Sequence, residues 1–281
     1  MKANAYGKLN LSLEIVGRYE DGYHEIRSIF QKVSLFDEIE CRFSDIVYVD
    51  FDIYPDVPET SVHKAVNLFM DRVKPGCGVE VYVRKMILAG TGLGGGSSDA
   101  ATTLLLLNEL FGFPLNAEEL ISISEAIGFD VPFFIKEVNT GLVEEKGEVI
   151  IPLRPLQDCY FLIVFPHFRL LTRDAYEFFD KYGTCHPDSF TGRLKEGIER
   201  GESVSHLEPY FYNDFERLFR KYDNRFIYLF SEVEDLTSLN FHLTGSGSAI
   251  FAVTESREIL EQASRILKSK GYRAELVSCV R

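Results

Sequence analysis

One stretch of the sequence decides the fold: Gly90-Thr91-Gly92-Leu93-Gly94-Gly95-Gly96-Ser97-Ser98-Asp99-Ala100-Ala101. It lies between a predicted strand (79–83) and an apolar segment (about 99–110) that we predict to be a helix. Five glycines within seven positions let the backbone come close to a bulky ligand and turn several N–H groups the same way. The N-terminus of the following helix adds a partial positive charge. The stretch therefore predicts a phosphate-binding loop, with a ligand-free glycine turn as the less favoured alternative.

Two common nucleotide loops do not fit this stretch. Gly90, Gly92 and Gly95 satisfy G-x-G-x-x-G, but a dinucleotide site needs a strand soon after the helix. A second predicted helix (117–127) follows instead, and Asn116 and Glu119 are spaced for a capping box at its start. The P-loop pattern G-x-x-x-x-G-K-[ST] does not occur. The loop is therefore predicted to hold a nucleotide in a different fold.

The rest of the chain is a mixture of predicted strands and helices. Apolar periodicity predicts strands at 9–16, 26–35, 38–43, 46–54, 140–143, 159–165 and 273–280. Helices are predicted at 62–73, 99–110, 117–127 and 259–267. Residues 241–254 are predicted to form a hairpin that turns at 245–247, and the polar residues 183–206 to form a loop. This order, with its ββαβ ending, indicates the α+β class.

The composition indicates a globular protein and argues against several classes of function. Of 281 residues, 46% are hydrophobic and 26% charged, and the formal net charge is −13. So acidic a chain repels polyphosphate backbones, and we expect no nucleic-acid partner. No secretory signal and no apolar run of roughly 20 residues is visible, so we expect a cytoplasmic protein without membrane contact. Five scattered cysteines support neither a disulfide framework nor a zinc site.

Four stretches together resemble the GHMP kinases, in the order typical of that family. They are Lys8-Leu9-Asn10-Leu11 with Asp21-Gly22-Tyr23-His24, the loop 90–101, Gly128-Phe129-Asp130-Val131-Pro132, and Leu243-Thr244-Gly245-Ser246-Gly247-Ser248-Ala249. The resemblance implies a two-domain GHMP kinase fold of the α+β class. It implies an N-terminal half (1–155) similar to a ribosomal protein, with the ATP loop and the catalytic pair. The C-terminal half (156–281) would be ferredoxin-like and lie on the substrate side.

The resemblance also implies an activity. It is fullest to the branch of the family that transfers phosphate from ATP to the 2-hydroxyl group of a cytidine diphosphate-linked methylerythritol, a step of non-mevalonate isoprenoid synthesis. Phosphoryl transfer from ATP requires charge neutralisation, so we expect Mg²⁺ as well and assign no ligands to it. The expected partner is therefore a small molecule, and the sequence predicts no oligomeric state.

Site residues follow from the same resemblance. Lys8 and Asp130 match the catalytic pair. Substrate positions are Asn10, Tyr23, His24 and Tyr176, with His24 at the edge of cytosine and Tyr176 stacked on its ring. The ATP-binding positions are Ala89, Gly90, Thr91, Gly92, Leu93, Gly94, Gly95, Gly96, Ser97, Ser98 and Asp99. Thr60 stands where the family commonly has an Asn that helps to hold adenine.

The residue types suit these roles on their own chemistry. Lys8 and Asn10 are two apart on an alternating strand, so both lie on one face and can present a cation and an amide to one ligand. The alternative for this face is simple solvation. Asp130 could accept a hydroxyl proton if a lysine kept it ionised. The alternative for Asp130 is an aspartate that caps or forms a turn.

Other functions stay open at this point. A GHMP kinase acting on mevalonate, homoserine or a sugar is one, but those acceptors carry no base for the stretch 21–24 to recognise. An RNA-binding module is another, because a similar βαβ half occurs in ribosomal proteins. The net charge of −13 and the lack of a basic stripe argue against it. A dehydrogenase is a distant third.

Overall fold

The computed structural model describes residues 1–53, 58–136, 138–185 and 189–280. The strands in this part are β1 (Lys2–Arg18), β2 (His24–Ser44), β3 (Tyr48–Phe51), β4 (Gly78–Arg84), β5 (Thr140–Glu145), β6 (Val149–Pro152), β7 (Tyr160–Phe165), β8 (Tyr212–Asn213), β9 (His242–Leu243), β10 (Ile250–Thr254) and β11 (Arg273–Ser278). The helices are α1 (Ser61–Val73), α2 (Gly95–Leu110), α3 (Ala117–Ile127), α4 (Val131–Ile135), α5 (Thr172–Tyr182), α6 (Phe190–Arg200), α7 (Val204–Leu207), α8 (Asp214–Tyr222), α9 (Asn224–Thr237) and α10 (Arg257–Ser269). Among the described residues, no helix is both long enough and apolar enough to cross a membrane.

The chain forms two compact units, each built from several segments. Unit 1 consists of Met1–Gly7, Leu35–Ala89 and Gly94–Val138, and unit 2 of Lys8–Ser34, Gly90–Leu93 and Asn139–Arg281. β1, β2 and the glycine loop each contribute residues to both units. The predicted domains 1–155 and 156–281 follow chain order instead, and they stay a prediction.

Unit 1 combines β3, β4 and parts of β1 and β2, which are strands of a seven-stranded sheet, with helices α1 to α4. β2 is antiparallel to β4, from Glu38 opposite Arg84 to Ser44 opposite Gly78, and β3 is parallel to β4. Helix α2 packs against α1, α3 and α4. Its apolar residues are buried on several sides, among them Ala100, Ala101, Leu104 and Leu107. A helix enclosed in this way gives the second half of the glycine loop a fixed support.

Capping boxes set the starts of α1 and α3. The hydroxyl group of Thr60 accepts a hydrogen bond from the N–H of His63, whose Nδ1 accepts from the N–H of Thr60 at 3.3 Å. At α3, Asn116 Oδ1 accepts from the N–H of Glu119 at 3.0 Å, and Glu119 Oε2 accepts from the N–H of Asn116 at 3.1 Å. The capping box predicted at Asn116 is confirmed.

Unit 2 contains a four-stranded antiparallel sheet in the order β11-β7-β10-β9. The predicted hairpin is confirmed as β9 and β10, and α10 followed by β11 completes the predicted ββαβ ending. Helices α8, α9 and α10 pack next to one another, and α10 also packs on β7 and β10. Five phenylalanines that are at most 1% exposed lie in this core: Phe215, Phe219, Phe226, Phe230 and Phe241. Large buried rings of this kind contribute strongly to the stability of a core.

Several predicted boundaries are wrong. The described residues of the predicted loop 183–206 contain α6 and α7, because Leu194 and Ile198, one helical turn apart, are buried and supply an apolar stripe. Residues 186–188 of that loop lie outside the described residues. The predicted strands 26–35 and 38–43 form the single strand β2, and α2 begins at Gly95 rather than near 99. The predicted strand 46–54 is reduced to β3, and its last residue, Tyr54, lies outside the described part.

One buried amide connects three elements of unit 2. Asn213 Nδ2 donates to the carbonyl oxygens of Leu243 and Gly245 at 3.0 and 2.9 Å. Asn213 Oδ1 caps α8 by accepting from the N–H of Phe215 at 2.9 Å. The residue is 4% exposed, so water cannot replace these partners. The position of the 244–249 turn therefore depends on the amide group of Asn213.

The substitution Asn213→Asp tests this dependence, because it keeps the size and the capping oxygen but removes the donor. We expect the free energy of unfolding to fall by about 2–4 kcal/mol, since two buried carbonyl groups lose their donor and face a carboxylate. Asn116→Asp is the matched control at an exposed helix start, and we expect a change within about 0.5 kcal/mol. Urea unfolding measures both, and equal losses would show that Asn213 has no special role.

Candidate active site

The first half of the glycine loop, residues 90–93, is bound to the rest of unit 2 through its carbonyl groups. Thr91 and Leu93 are buried, whereas Ala89 just before them is exposed. The loop carbonyls accept backbone hydrogen bonds from β1 and from the hairpin turn: Lys8 N–H to Leu93 O at 2.9 Å, Ser248 N–H to Gly90 O at 3.2 Å, and Ala249 N–H to Thr91 O at 3.2 Å. This half of the loop therefore follows a fixed path before any ligand binds.

Within this half of the loop, the backbone of Gly92 lies very close to the backbone of Thr244 in the hairpin turn. Its φ is +78°, and a Cβ atom there would overlap the carbonyl oxygen of Thr244, so only glycine fits. The carbonyl oxygen of Gly92 accepts from Lys8 Nζ at 2.9 Å and from Thr244 Oγ1 at 3.3 Å. One carbonyl group thus joins the loop to the predicted catalytic lysine and to the hairpin.

Lys8 and Asn10 lie on the same face of β1, as predicted, and their side chains are hydrogen-bonded to each other. Both residues are 3% exposed, so the alternative of a solvated strand face is wrong. Lys8 Nζ lies 4.6 Å from the centre of the Phe30 ring, which favours the cation. Asn10 Nδ2 donates to Ser28 Oγ at 2.9 Å. These contacts hold a buried ammonium group beside the glycine loop.

The second half of the loop begins α2 in unit 1. Gly94 (φ +68°) is the N-cap and has no side chain to cap the helix. The N–H of Ser98 donates to Gly94 O at 2.9 Å, and within the described part of the chain the N–H groups of residues 95–97 have no acceptor. Gly96 is exposed, and a Cβ atom there would meet nothing nearer than Ser61 Oγ at 3.8 Å. This end therefore offers unpaired donors and the positive end of the helix dipole to an anion.

Asp99 lies in the same helix, but its side chain is buried inside unit 1. Lys85 Nζ donates to Asp99 Oδ2 and to Asp37 Oδ2, each at 2.5 Å, and Asp37 Oδ1 accepts from the N–H of Ile87 at 2.8 Å. Burial raises the pKa of the Asp99 carboxyl group despite the Lys85 ammonium, and the Asp37 carboxylate raises it further. The cluster thereby anchors α2 to β2 and to residues 85–87, while a contact of Asp99 with ATP stays a prediction.

Asp130 is the N-cap residue of α4 and is half-buried. Its side chain makes no capping hydrogen bond, and Pro132 occupies the second position of the helix. Of the alternative role, capping is therefore not seen in α4, but the turn is: Asp130 lies in a turn in which the N–H of Val131 donates to Gly128 O at 3.0 Å. Asp130 belongs to unit 1 and Lys8 to unit 2. Their pairing stays a prediction.

Two of the predicted substrate residues are stacked on each other in unit 2. The ring centres of His24 and Tyr176 are 4.7 Å apart with an angle of 23° between the planes. The rings of Tyr176 and Phe215 pack edge to face, with their centres 5.0 Å apart. Tyr23 is 53% exposed, and Lys146 Nζ lies 5.1 Å from the centre of its ring. Flat aromatic surfaces of this kind are suited to a planar base.

Two residues that contact the predicted substrate residues, Asp180 and Thr244, were not predicted from the sequence as part of the site. Asp180 Oδ1 lies 2.7 Å from His24 Nε2, and Thr244 Oγ1 accepts from the N–H of Asn10 at 3.0 Å. A signal for Asp180 existed, because it follows Tyr176 by four residues and so shares its face of α5. Thr244 was seen only as part of a motif, and no spacing rule connects it with residues 8–10.

Comparison with known proteins gives the family. Residues 60–137 match the model of the GHMP kinases N terminal domain. A 4-diphosphocytidyl-2-C-methyl-D-erythritol kinase of Clostridium tetani is 36% identical over 279 residues, covering 96% of each chain. A protein of the same name from Dehalococcoides mccartyi is 34% identical over 281 residues, covering 98% of this chain and 96% of the relative.

Solved structures agree with these relatives. A crystal structure of a 4-(cytidine 5'-diphospho)-2C-methyl-D-erythritol kinase has a TM-score of 0.83 and 28% identity, with both chains covered completely. A homoserine kinase from Cytophaga hutchinsonii has a TM-score of 0.71 at 17% identity, covering 100% of this chain and 94% of its own, and so shares the fold alone. The GHMP kinase fold and the α+β class predicted from the sequence are confirmed. The relatives that match this chain over almost their whole length show that it belongs to the 4-diphosphocytidyl-2-C-methyl-D-erythritol kinase family of GHMP kinases.

Proposed function

We propose that this chain transfers the γ-phosphoryl group of ATP to the 2-hydroxyl group of 4-diphosphocytidyl-2-C-methyl-D-erythritol, in non-mevalonate isoprenoid synthesis. The observation that carries the proposal is the buried ammonium group of Lys8, 2.9 Å from the carbonyl oxygen of Gly92. A cation fixed on the glycine loop is suited to the negative charge of a migrating phosphoryl group.

The N–H groups of residues 95–97, which have no acceptor among the described residues, would bind the phosphates of ATP. Asp130 would accept the proton of the attacking hydroxyl group, and Lys8 would keep its carboxylate ionised. The alternative is a loose transition state in which positioning and charge stabilisation supply most of the acceleration; Asp130→Asn would then lose little activity and Lys8→Met would have the larger defect.

Recognition of the acceptor would rest on unit 2. The stacked rings of His24 and Tyr176 would provide an aromatic surface and an imidazole edge for cytosine, with Tyr23 next to His24 in the sequence; Asn10 is hydrogen-bonded to Lys8 and would bind the acceptor beside it. Mevalonate and homoserine have no base that such rings could bind. The aromatic pair therefore favours the cytidine-linked acceptor over the acceptors of other GHMP kinases.

A magnesium ion fits this proposal without a dedicated protein cage. Among the described residues, no group of three or more His, Cys, Asp or Glu side chains could hold a metal ion. Mg²⁺ usually keeps several waters and binds through substrate phosphates with one or two carboxylates. We propose that ATP phosphates hold the ion here, and that it neutralises their charge during transfer.

Coupled ADP release with a panel of acceptors tests the function. We expect turnover with the cytidine diphosphate-linked methylerythritol and almost none with mevalonate, homoserine or galactose, because only the first carries a base. Phosphorus NMR of the product identifies the hydroxyl group that was phosphorylated. Preferred turnover of an acceptor without a base would reject the proposal.

The substitution Gly96→Val tests the phosphate loop, because the space around Gly96 is open and the protein itself should tolerate the side chain. We expect the affinity for a non-hydrolysable ATP analogue to fall about tenfold or more, since the valine would displace the phosphates from the N–H groups of α2; tenfold is about 1.4 kcal/mol. Ala117→Val, in the exposed first turn of α3, is the control. Isothermal titration measures both, and an unchanged affinity in Gly96→Val would exclude this loop as the phosphate site.

Asp130→Asn and Lys8→Met test the catalytic pair. If Asp130 is the general base, kcat should fall roughly a hundred- to ten-thousand-fold with ATP binding preserved. Lys8→Met should also lower kcat, and the double variant should lose much less than the product of the single losses, because the two residues act as one unit. Asp71→Asn and Lys2→Met are exposed controls in α1 and β1. Full activity of both single variants would contradict the assignment.

A further inference from the structure

His24 is held by a carboxylate that the proposed mechanism does not use. Its Nε2 lies 2.7 Å from Asp180 Oδ1, and the other oxygen of Asp180 lies 3.3 Å from a guanidinium nitrogen of Arg18. The His24 side chain is only 8% exposed, between Tyr176 on one ring face and Phe179, whose ring it meets nearly at a right angle. Asp180 follows Tyr176 by one turn of α5, so one helix supplies both contacts.

The carboxylate determines which nitrogen of His24 carries the proton. An ionised carboxylate only accepts hydrogen bonds, so Nε2 must be the donor and, in the neutral ring, Nδ1 must be the acceptor. Nδ1 has no hydrogen-bond partner in the part of the chain that the structure describes. The ring therefore presents a single acceptor of fixed direction to a ligand stacked beside it.

We propose that Asp180 is a positioning residue that makes the site selective for cytosine over uracil, by fixing His24 as an acceptor at Nδ1. This inference rests on the proposed function, in which His24 reads the edge of the base. Cytosine carries an amino group at the position where uracil carries a carbonyl oxygen. An acceptor binds the amino group and repels the oxygen, and a buried polar group left unpaired in this way penalises the wrong base strongly.

Arg18 makes the isosteric substitution informative. In Asp180→Asn the guanidinium cation of Arg18, which also donates to Gly22 O, attracts the amide oxygen and repels the amide NH₂, so the NH₂ should turn to His24 Nε2. His24 would then carry its proton on Nδ1 and become a donor toward the base. Asp180→Ala removes the partner without imposing this reversed polarity.

The measured quantity is the ratio of kcat/KM for the cytidine-linked acceptor to kcat/KM for its uridine-linked analogue. All variants are assayed at the same pH. We expect the ratio to fall at least about tenfold in Asp180→Asn, with a smaller fall in Asp180→Ala and little change in kcat for the cytidine acceptor at saturation. Asp174→Asn, an exposed position of the same helix, should keep the wild-type ratio.

Relative affinities for CDP and UDP, measured by titration, report the same contact without turnover. They test the inference separately from the proposed function, which fails if the wild type phosphorylates neither acceptor. ¹⁵N NMR of the His24 ring should show the proton on Nε2 in the wild type and on Nδ1 in Asp180→Asn. The proposal would be overturned if Asp180→Asn kept the wild-type ratio of kcat/KM between the two acceptors. It would also be overturned if this ratio fell equally in Asp180→Asn and Asp180→Ala.

Discussion

The passage of the Gly92 backbone against Thr244 is the constraint on which the candidate site depends. No Cβ atom fits between them, and the carbonyl oxygen of Gly92 accepts from both Lys8 and Thr244. β1, the hairpin turn and the loop are therefore fixed to one another before a ligand binds, which limits the reorganisation that remains for the reaction. Asn213 holds the hairpin side of this arrangement through its bond to the carbonyl of Gly245.

A separate group of buried charged side chains supports the second half of the loop, at the start of α2. Asp37, Lys85 and Asp99 form a buried ionic cluster beneath the start of α2. Two carboxyl groups share one ammonium group there, and Asp99 Oδ1 has no hydrogen-bond partner among the described residues. Such a cluster is a weak source of stability but defines a single geometry when its members are paired. The cluster therefore fixes the orientation of the N-terminal end of α2 within unit 1.

Local patterns in the sequence were sufficient for much of this structure. The alternation of 9–16 put Lys8 and Asn10 on one face, and the spacing of Asn116 and Glu119 predicted a capping box; both predictions are confirmed. Helices α5 and α8 were not predicted, because most of their residues are polar and tertiary packing of a few aromatic rings stabilises them. Asp180 was missed with α5, since its approach to His24 joins residues 156 positions apart.

The most direct measurement compares Gly92→Ala with Gly112→Ala. The two glycines have φ of +78° and +77°, but a Cβ atom at Gly112 meets nothing within 4 Å. Backbone strain is therefore matched, at about 1 kcal/mol or more each, and the two positions differ in the close approach of Gly92 to the hairpin turn, to Thr244 above all and to Gly247 O at 3.2 Å. With both variants folded by circular dichroism, kcat with ATP and the cytidine-linked acceptor should stay at the wild-type level in Gly112→Ala and fall about a hundredfold or more in Gly92→Ala. Equal kcat in the two variants would contradict the claim that the contact between Gly92 and Thr244 organises the site.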